Sequence, residues 1–428
     1  MGCMILMGFI KLPSLRDYWK KDRVFRYPPI ADVISRDRFL AIHHYLHFIN
    51  NETLSAPGSV DHDKLGKIRP IITALSEQFA AIYEPGQNIS IDEAMIPFKG
   101  RSTMKQYVPL KPVKRGFKVW LRAEAENGYV SAFDVYTGKK GQAVEHGLGA
   151  RVVKELSSDL HHTYRHLYFD NFFSSVDLLL DLWRTGLYGC GTMRTNRKGF
   201  TELLKRHAKK GLEVRGDSIT VQHKESNTTV SLWQDSRPVI VIANNADGTV
   251  TETVKRMKKN GTRETYPCPS SIALYNRFMG GVDRNDQLRG YYSTPIKCRK
   301  CYKYIFWFLF DVAITNAFIL CKEFSSLDIR PVKSFRVELA KQLIGDYNGR
   351  KRAGRASITA TAKRFCQSHF PTRGSDQVHR CHYCSKFRKE RRATVWFCKD
   401  CSLFLCHNGT EQDCFFLFHT HHGPFCEE

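Results

Sequence analysis

The sequence predicts an α/β protein: a mixed sheet, antiparallel at first and then parallel, with flanking helices and a small metal-stapled C-terminal module. Three observations lead there. Residues 87–194 read in the order strand, strand, strand, helix, strand, helix, strand, and strands joined through helices are expected to pair in parallel. Residues 195–268 add a second group of alternating segments. Eight of the 14 cysteines fall from Cys366 onward, several in paired spacings.

The bulk numbers bound the partners. A chain of 428 residues exceeds one compact core, and 42% hydrophobic with 25% charged residues is ordinary globular composition. The balance of 66 Lys+Arg against 42 Asp+Glu, a net charge of +24, is not ordinary and points to nucleic acid. The opening MGCMILMGFI has no basic flank and no small-residue cleavage site, so it does not read as a secretory signal. That leaves a reducing compartment, with the nucleus expected, and cysteines kept for metal rather than disulfides. The apolar run Tyr304–Cys321 is 18 residues long and carries Asp311, so it reads as a buried helix and no membrane contact is expected.

Taken in order, residues 1–60 are helical. RDRFLAIHHYLHF sets Phe39, Ile42, His43 and Leu46 on one face. His43, His44 and His47 lack Cys or acidic neighbours and read as a packed or solvated face, and Asn50-Asn51 ends the helix. NISIDEAMIPF alternates, with Ile89, Ile91 and Glu93 on one face and Ser90, Asp92 and Ala94 on the other. FKVWLRAEA (117–125) and YVSAFDVYTG (129–138) join through the hairpin turn Glu126-Asn127-Gly128. A helix over 143–160, the buried strand HLYFD (166–170), a helix from Ser175 to Arg184 and the strand YGCGTMR (188–194) complete a ribonuclease H-like order.

Residues 195–268 interrupt that core. The basic start, with Arg194, Arg197, Lys198, Lys205, Arg206, Lys209 and Lys210, is either a solvated face or a DNA-contacting insertion. The segments SITVQHK, TTVSLWQD and RPVIVIANN then read as strands. The helical pattern resumes at Ser271 with SIALYNRFMGGVDRNDQLRGYY, which puts Asp283 and Asp286 on one face. Gly280-Gly281 weakens it and marks a close backbone approach. Residues 348–375 are polar and basic, a linker with DNA binding or nuclear import as further roles.

Three aspartates carry the chemistry: Asp92 in ISIDEAMIPFKGR, Asp170 in HLYFDNFFSS and Asp283 in MGGVDRNDQ. Each lies beside apolar or Gly-rich framework, where an uncompensated carboxylate costs several kcal/mol to desolvate. In a ribonuclease H-like order the strands ending near Asp92 and Asp170 are neighbours. Carboxylates so grouped suit a pair of hard divalent cations about 3.5–4 Å apart, the machinery of in-line displacement at phosphorus. The reading is phosphoryl transfer on DNA.

The C-terminal segment offers Cys381-x2-Cys384, Cys398-x2-Cys401, Cys406, Cys414 and His419. Two C-x2-C pairs separated by 13 residues are a strong zinc signal. Seven ligands exceed one tetrahedral ion, so two structural zinc ions are expected, with a cross-brace as one arrangement. His422 is the choice for the eighth ligand, ahead of His407 and His379, and Cys366 and Cys426 are spare. So small and basic a segment needs metal to fold.

IDEAMIPFKGR, LYFDNFFSS, GGVDRNDQ and the terminal Cys/His module, in that order, resemble the piggyBac family of DNA transposases. LPSLRDYW and RDRFLAIHHYLHFINN resemble the end of that family's N-terminal helical region. The resemblance implies a ribonuclease H-like core and cut-and-paste movement through DNA hairpins at TTAA sites. It implies two Mg2+ (or Mn2+) ions on Asp92, Asp170 and Asp283, with Asp286 as auxiliary acid, acting on double-stranded DNA as a homodimer. It also implies terminal-repeat recognition by Lys386, Arg388, Lys389, Arg391 and Arg392 of the zinc module, and DNA held near the site by an insertion with Arg194, Arg197 and Lys198. The implied organisation is a truncated helical DNA-binding and dimerisation region (1–86), core (87–194), insertion (195–268), second core part (269–347), linker (348–378) and zinc domain (379–428). Two features depart. The family carries an extension before the LPSLRDYW-like motif where this chain has about ten residues, which bears on autonomous transposition. Tyr304 stands where members carry Trp, keeping a stacking face for hairpin handling. A non-enzymatic, transposase-derived DNA- or chromatin-binding protein is the competing expectation.

Overall fold

The computed structural model describes residues 1–22, 24–56, 58–109, 111–138, 147–224, 226–258, 260–295, 298–324, 331–347, 369–374, 377–410 and 412–420. The chain divides into two compact units, Met1–Arg350 and Lys351–Glu428.

The first unit is mixed α/β and built on one nine-stranded sheet. Its strands are β1 (Asn88–Pro97), β2 (Gln106–Tyr107), β3 (Arg115–Glu124), β4 (Val130–Val135), β5 (His166–Phe169), β6 (Tyr188–Thr192), β7 (Ser218–Gln222), β8 (Thr229–Gln234) and β9 (Pro238–Ala243). They lie in the order β2-β3-β1-β5-β6-β9-β8-β7, and β4 pairs with β3 beside β2. The β1/β3 and β3/β4 pairs are antiparallel, while β1/β5 and β5/β6 are parallel. Helices Leu148–Leu156 and Val176–Arg184 supply the crossovers before and after β5. Ser175 starts the second by accepting the Leu178 amide at 3.1 Å.

Alternation sorts the two faces. Ile89, Ile91 and Trp120 pack on Val152, Val153, Leu178 and Leu179 of the crossover helices. Ala94, Ile96, Val119 and Leu121 face the other way, onto Val282 and the long helix Cys301–Phe324. That helix is long and apolar enough to cross a membrane, but two thirds of its apolar window is buried in the protein. Its Asp311 is buried with Arg336 Nη1 at 3.0 Å and the Thr294 amide at 2.9 Å. Burial pushes the Asp311 carboxyl up, and Arg336 and Thr294 work against that. Asn316 on the same helix accepts the Val130 amide at 2.9 Å and donates to its carbonyl at 2.8 Å, acting as a short neighbour for β4.

Three local differences from the sequence reading have physical causes. Helix Arg36–Tyr45 stops before Asn50, where the Lys303 ammonium takes up the carbonyls of His43 and His44. Asn50 instead caps the turn Asn51–Thr53. The helical stretch from Ser271 is two helices, Ser270–Phe278 and Gly281–Tyr291. At Gly281 a Cβ would come within 2.5 Å of both the Glu124 carbonyl and Ser90 Oγ, so only glycine lets this helix seat on β1 and β3. Strands β7–β9 are not a separate body: β9 pairs antiparallel with β6 and extends the sheet, satisfying an edge that would otherwise be open. A hairpin of β10 (Thr251–Met257) and β11 (Arg263–Pro269) follows.

In the second unit, Pro371–Arg373, Trp396–Cys398 and Leu403–Phe404 form a three-stranded sheet, and His379–Arg380 pairs with Ala393–Thr394. A short helix, Cys414–Thr420, packs Phe415 and Phe418 against buried cysteines. The folded unit thus includes residues 369–374, inside the stretch read as linker.

Candidate metal centres

The parallel register between β1 and β5 runs from Asn88↔His166 to Ile91↔Phe169. Asp92 and Asp170 are the next residue on each strand, so the two acids stand side by side where the pairing ends. Local contacts fix both. Asp92 Oδ1 accepts the Glu93 amide at 2.7 Å, and Asp170 Oδ1 accepts the Phe172 amide at 2.8 Å. The loop after Asp170 is held from behind by Arg197, whose Nη2 donates to the carbonyls of Asn171 and Phe172 at 2.9 Å each. Arg194 Nε donates to Asn171 Oδ1 at 2.7 Å. The structure therefore gives these two basic residues a positioning contact at the acids, while Lys198 is exposed.

Strand alternation predicts Glu93 on the face opposite Asp92, and the structure corrects what that implies. The ligand oxygens of Asp92, Glu93 and Asp170 lie within 4.8 Å of one another. Past Ile91 the β5 side of β1 is unpaired, so side chains from both faces converge around the open edge. Lys111 and Lys118 were also missed. Lys111 Nζ is 3.4 Å from Glu93 Oε1 and 3.8 Å from Asp92 Oδ2, and Lys118 Nζ is 3.8 Å from Glu93 Oε2. Burial, with the Glu93 charge next, pushes the Asp92 carboxyl up to about 7, and burial raises Asp170 as well. Burial works against the Lys111 charge, yet Asp92, Glu93 and Asp283 hold its pKa above the usual lysine range. Burial lowers that of Lys118.

Asp283 is not part of this tight group. It is exposed on the first turn of helix Gly281–Tyr291, with its charge felt at Lys111. Asp286, one turn on, is paired with Arg289 at 2.9 Å. The Tyr304 hydroxyl donates to the Cys298 carbonyl at 3.1 Å and its ring meets Phe98 edge-on at 5.0 Å, beside a 420 Å3 cavity that Lys99 and Arg289 also line. A half-buried group of three carboxylates fits a hard divalent cation.

The second unit holds two four-residue groups with ligand atoms within 4.8 Å: Cys381, Cys384, Cys406 and Cys414, and His369, Cys398, Cys401 and His419. The two sets alternate along the chain, which is a cross-brace. Among the described residues His369 completes the second group; the expected eighth ligand, His422, lies outside the described residues, as do Cys366 and Cys426. His369 Nδ1 is 3.3 Å from Cys398 Sγ and 3.5 Å from Cys401 Sγ. His379 stacks on Phe404, and His407 Nδ1 lies 2.8 Å from Asp413 Oδ2; neither belongs to the two groups found among the described residues. His419 Nδ1 meets the Phe415 carbonyl at 2.7 Å, which directs Nε2 to Cys401 Sγ at 3.3 Å. Burial raises the Cys381 thiol, but amides of Cys384 and Cys406 on its sulfur bring it below the usual range. Four thiols in one group, and two thiols with two imidazoles in the other, are donor sets that suit a structural metal ion. In the same unit Lys386, Arg388, Lys389, Arg391 and Arg392, close together in sequence, are all exposed and make a basic ridge along the chain.

Comparison with known proteins adds independent findings. Residues 1–318 match the family profile described as Transposase IS4. The human PiggyBac transposable element-derived protein 3 is 30% identical over 342 residues, 78% of this chain and 55% of the relative. The human PiggyBac transposable element-derived protein 2 is 30% identical over 329 residues, 75% of this chain and 54% of the relative. The chain spans about half the length of these curated relatives. A cryo-EM structure of a piggyBac transposase synaptic complex with hairpin DNA superposes with a TM-score of 0.70 at 21% identity, covering 95% of this chain and 84% of that one.

Proposed function

The chain belongs to the piggyBac-type proteins of the Transposase IS4 family, and from that premise we propose that it is a metal-dependent DNA transposase that cleaves and transfers strands at TTAA sites. The observation that carries this is the meeting of Asp92 and Asp170 across parallel strands, in a half-buried acidic group next to a helix that delivers Asp283. The order β4-β3-β1-β5-β6, with its parallel inner pairs, supports a ribonuclease H-like core.

In this reading Asp92, Asp170 and Asp283 hold two divalent cations, Mg2+ or Mn2+, with Asp286 as auxiliary acid. When bound, such ions activate a water and stabilise attacking and leaving oxygens at phosphorus. The remaining work falls to the chain. Arg194 and Arg197 hold the Asp170 loop, and the Gly281 contact seats the Asp283 helix on β1 and β3. Lys111 and Lys118 place positive charge where a scissile phosphate approaches. The Cys/His groups take two structural zinc ions, and the basic ridge with Lys198 contacts phosphates, fixing position rather than sequence. Tyr304 offers a partly exposed ring for stacking at hairpin ends. The partner is double-stranded DNA, engaged as a homodimer because two ends must be joined, and the nucleus is the compartment.

A Mg2+-dependent cleavage assay on DNA with related terminal repeats beside TTAA tests this, comparing wild type with Asp92→Ala. Hairpin-ended products that vanish in the variant are the expected result. Zinc-dependent DNA binding with no cleavage by wild type replaces this reading with a non-enzymatic, transposase-derived DNA-binding protein.

A further inference from the structure

We propose that Glu93 is an additional acid of the catalytic centre, a carboxylate ligand for the divalent cation, and that Lys111 is the built-in cation covering the acids in its absence. This inference rests on the metal reading of Asp92 and Asp170.

Three observations carry it. Glu93 shares the 4.8 Å group with Asp92 and Asp170, which Asp283 does not. Its side chain is only 9% exposed, and its Oε2 is buried without accepting any hydrogen bond. A buried anionic oxygen left in that state calls for a cation; the Lys118 ammonium stands off at 3.8 Å, and that of Lys111 is 3.4 Å from the other oxygen, Oε1. Thirdly, the two lysines are held differently. Lys118 rises from β3 with its Nζ 4.3 Å from the centre of the Phe172 ring, so aromatic packing keeps it in place. Lys111 comes from the connection between β2 and β3 and, among the described residues, its ammonium reaches the acids and, at 3.4 Å, the Glu93 carbonyl.

Lys111 is therefore positioned as an intramolecular counter-ion. Ammonium groups standing 3.4–3.8 Å from Asp92 and Glu93 do not ligate the three carboxylates, whereas a doubly charged ion has the charge and the oxygen preference they require. Glu93 enters from the Trp120 side of β1 and Asp92 from the Leu121 side, so adjacent residues can grip one ion around the open strand edge. Binding the metal displaces the Lys111 ammonium, freeing it to face a phosphate.

The test is Mn2+ binding to the full chain without DNA, read by the electron paramagnetic resonance of free Mn2+, with the Cys/His groups zinc-loaded. Glu93→Gln is expected to weaken binding by about tenfold or more, as Asp170→Asn does. Lys111→Met is expected to tighten it several-fold, which loss of a merely structural residue does not do. Thermal melts check that each variant folds, and the Lys111→Met arm stands if Glu93→Gln does not. Glu93→Gln binding within about twofold of wild type, with Asp170→Asn impaired, overturns this inference alone. So does Lys111→Met binding no tighter than wild type. Unchanged binding in both Asp92→Asn and Asp170→Asn overturns the metal reading beneath it as well.

Discussion

At the scale of single residues, Asp92 sets a pH signature. Its carboxyl is pushed up to about 7 in the fold, from an ordinary value near 3.8. Between those values the folded state binds more protons than the unfolded one. The stability it contributes is complete below the lower value and is lost as pH rises through the upper one. Metal-free protein should therefore melt at a higher temperature at pH 5.5 than at pH 8 relative to Asp92→Asn, which lacks this proton. Parallel melting profiles of the two proteins across that range would count against the assignment. His369 sets a second test. His369→Ala should retain one zinc ion per chain where wild type holds two, and His422→Ala should retain both; elemental analysis after dialysis reads the difference. His369 could be found in the sequence only as a lone His ahead of the first knuckle, a signal with no diagnostic spacing.

Elements are decided by close contacts that propensity does not report. Gly281→Val places a side chain where a Cβ already meets the Glu124 carbonyl and Ser90 Oγ at 2.5 Å. It should lift the helix carrying Asp283 and cost about 1–3 kcal/mol by urea denaturation. Arg336→Met removes the buried partner of Asp311 and should cost about 3–5 kcal/mol by the same measurement. Replacing both residues by apolar ones should recover much of that loss. A double variant as unstable as Arg336→Met would show that the pair's surroundings, not the orphaned charge, set the cost. The Gly280-Gly281 pair already signalled a close approach in the sequence. The partner strands could not be read there, because Glu124 and Ser90 are remote in the chain.

For the whole molecule, net charge bears on DNA binding and the Cys/His groups bear on the stability of the second unit. With a net charge of +24, binding to DNA should weaken steeply and linearly on a log–log plot against salt; a flat response in a binding titration would rule out phosphate-dominated contact. The described cysteines of the second unit fall in two groups of four candidate ligands with a small apolar cluster. Chelation should melt it while the first unit, with its nine-stranded sheet, retains its structure. Calorimetry should then show one transition lost and one kept.

The succession of β1, β3, β4, β5 and β6, the placing of Asp92 beside Asp170, the burial of the 301–324 helix and seven of the eight residues in the two Cys/His groups were legible in the sequence by itself, while the two-residue β2 was not. Each rests on a local signal: alternation, an apolar run, a turn, or a fixed ligand spacing. Only the tertiary structure decided that Glu93 joins Asp92, that Lys111 stands among the acids, that Asp283 lies outside the tight group, that β7–β9 extend the main sheet, and that His369 completes the second Cys/His group. These depend on which atoms converge after distant segments pack. Alternation assigns a side chain to a face, but where a neighbouring strand stops determines whether two faces can meet around its edge.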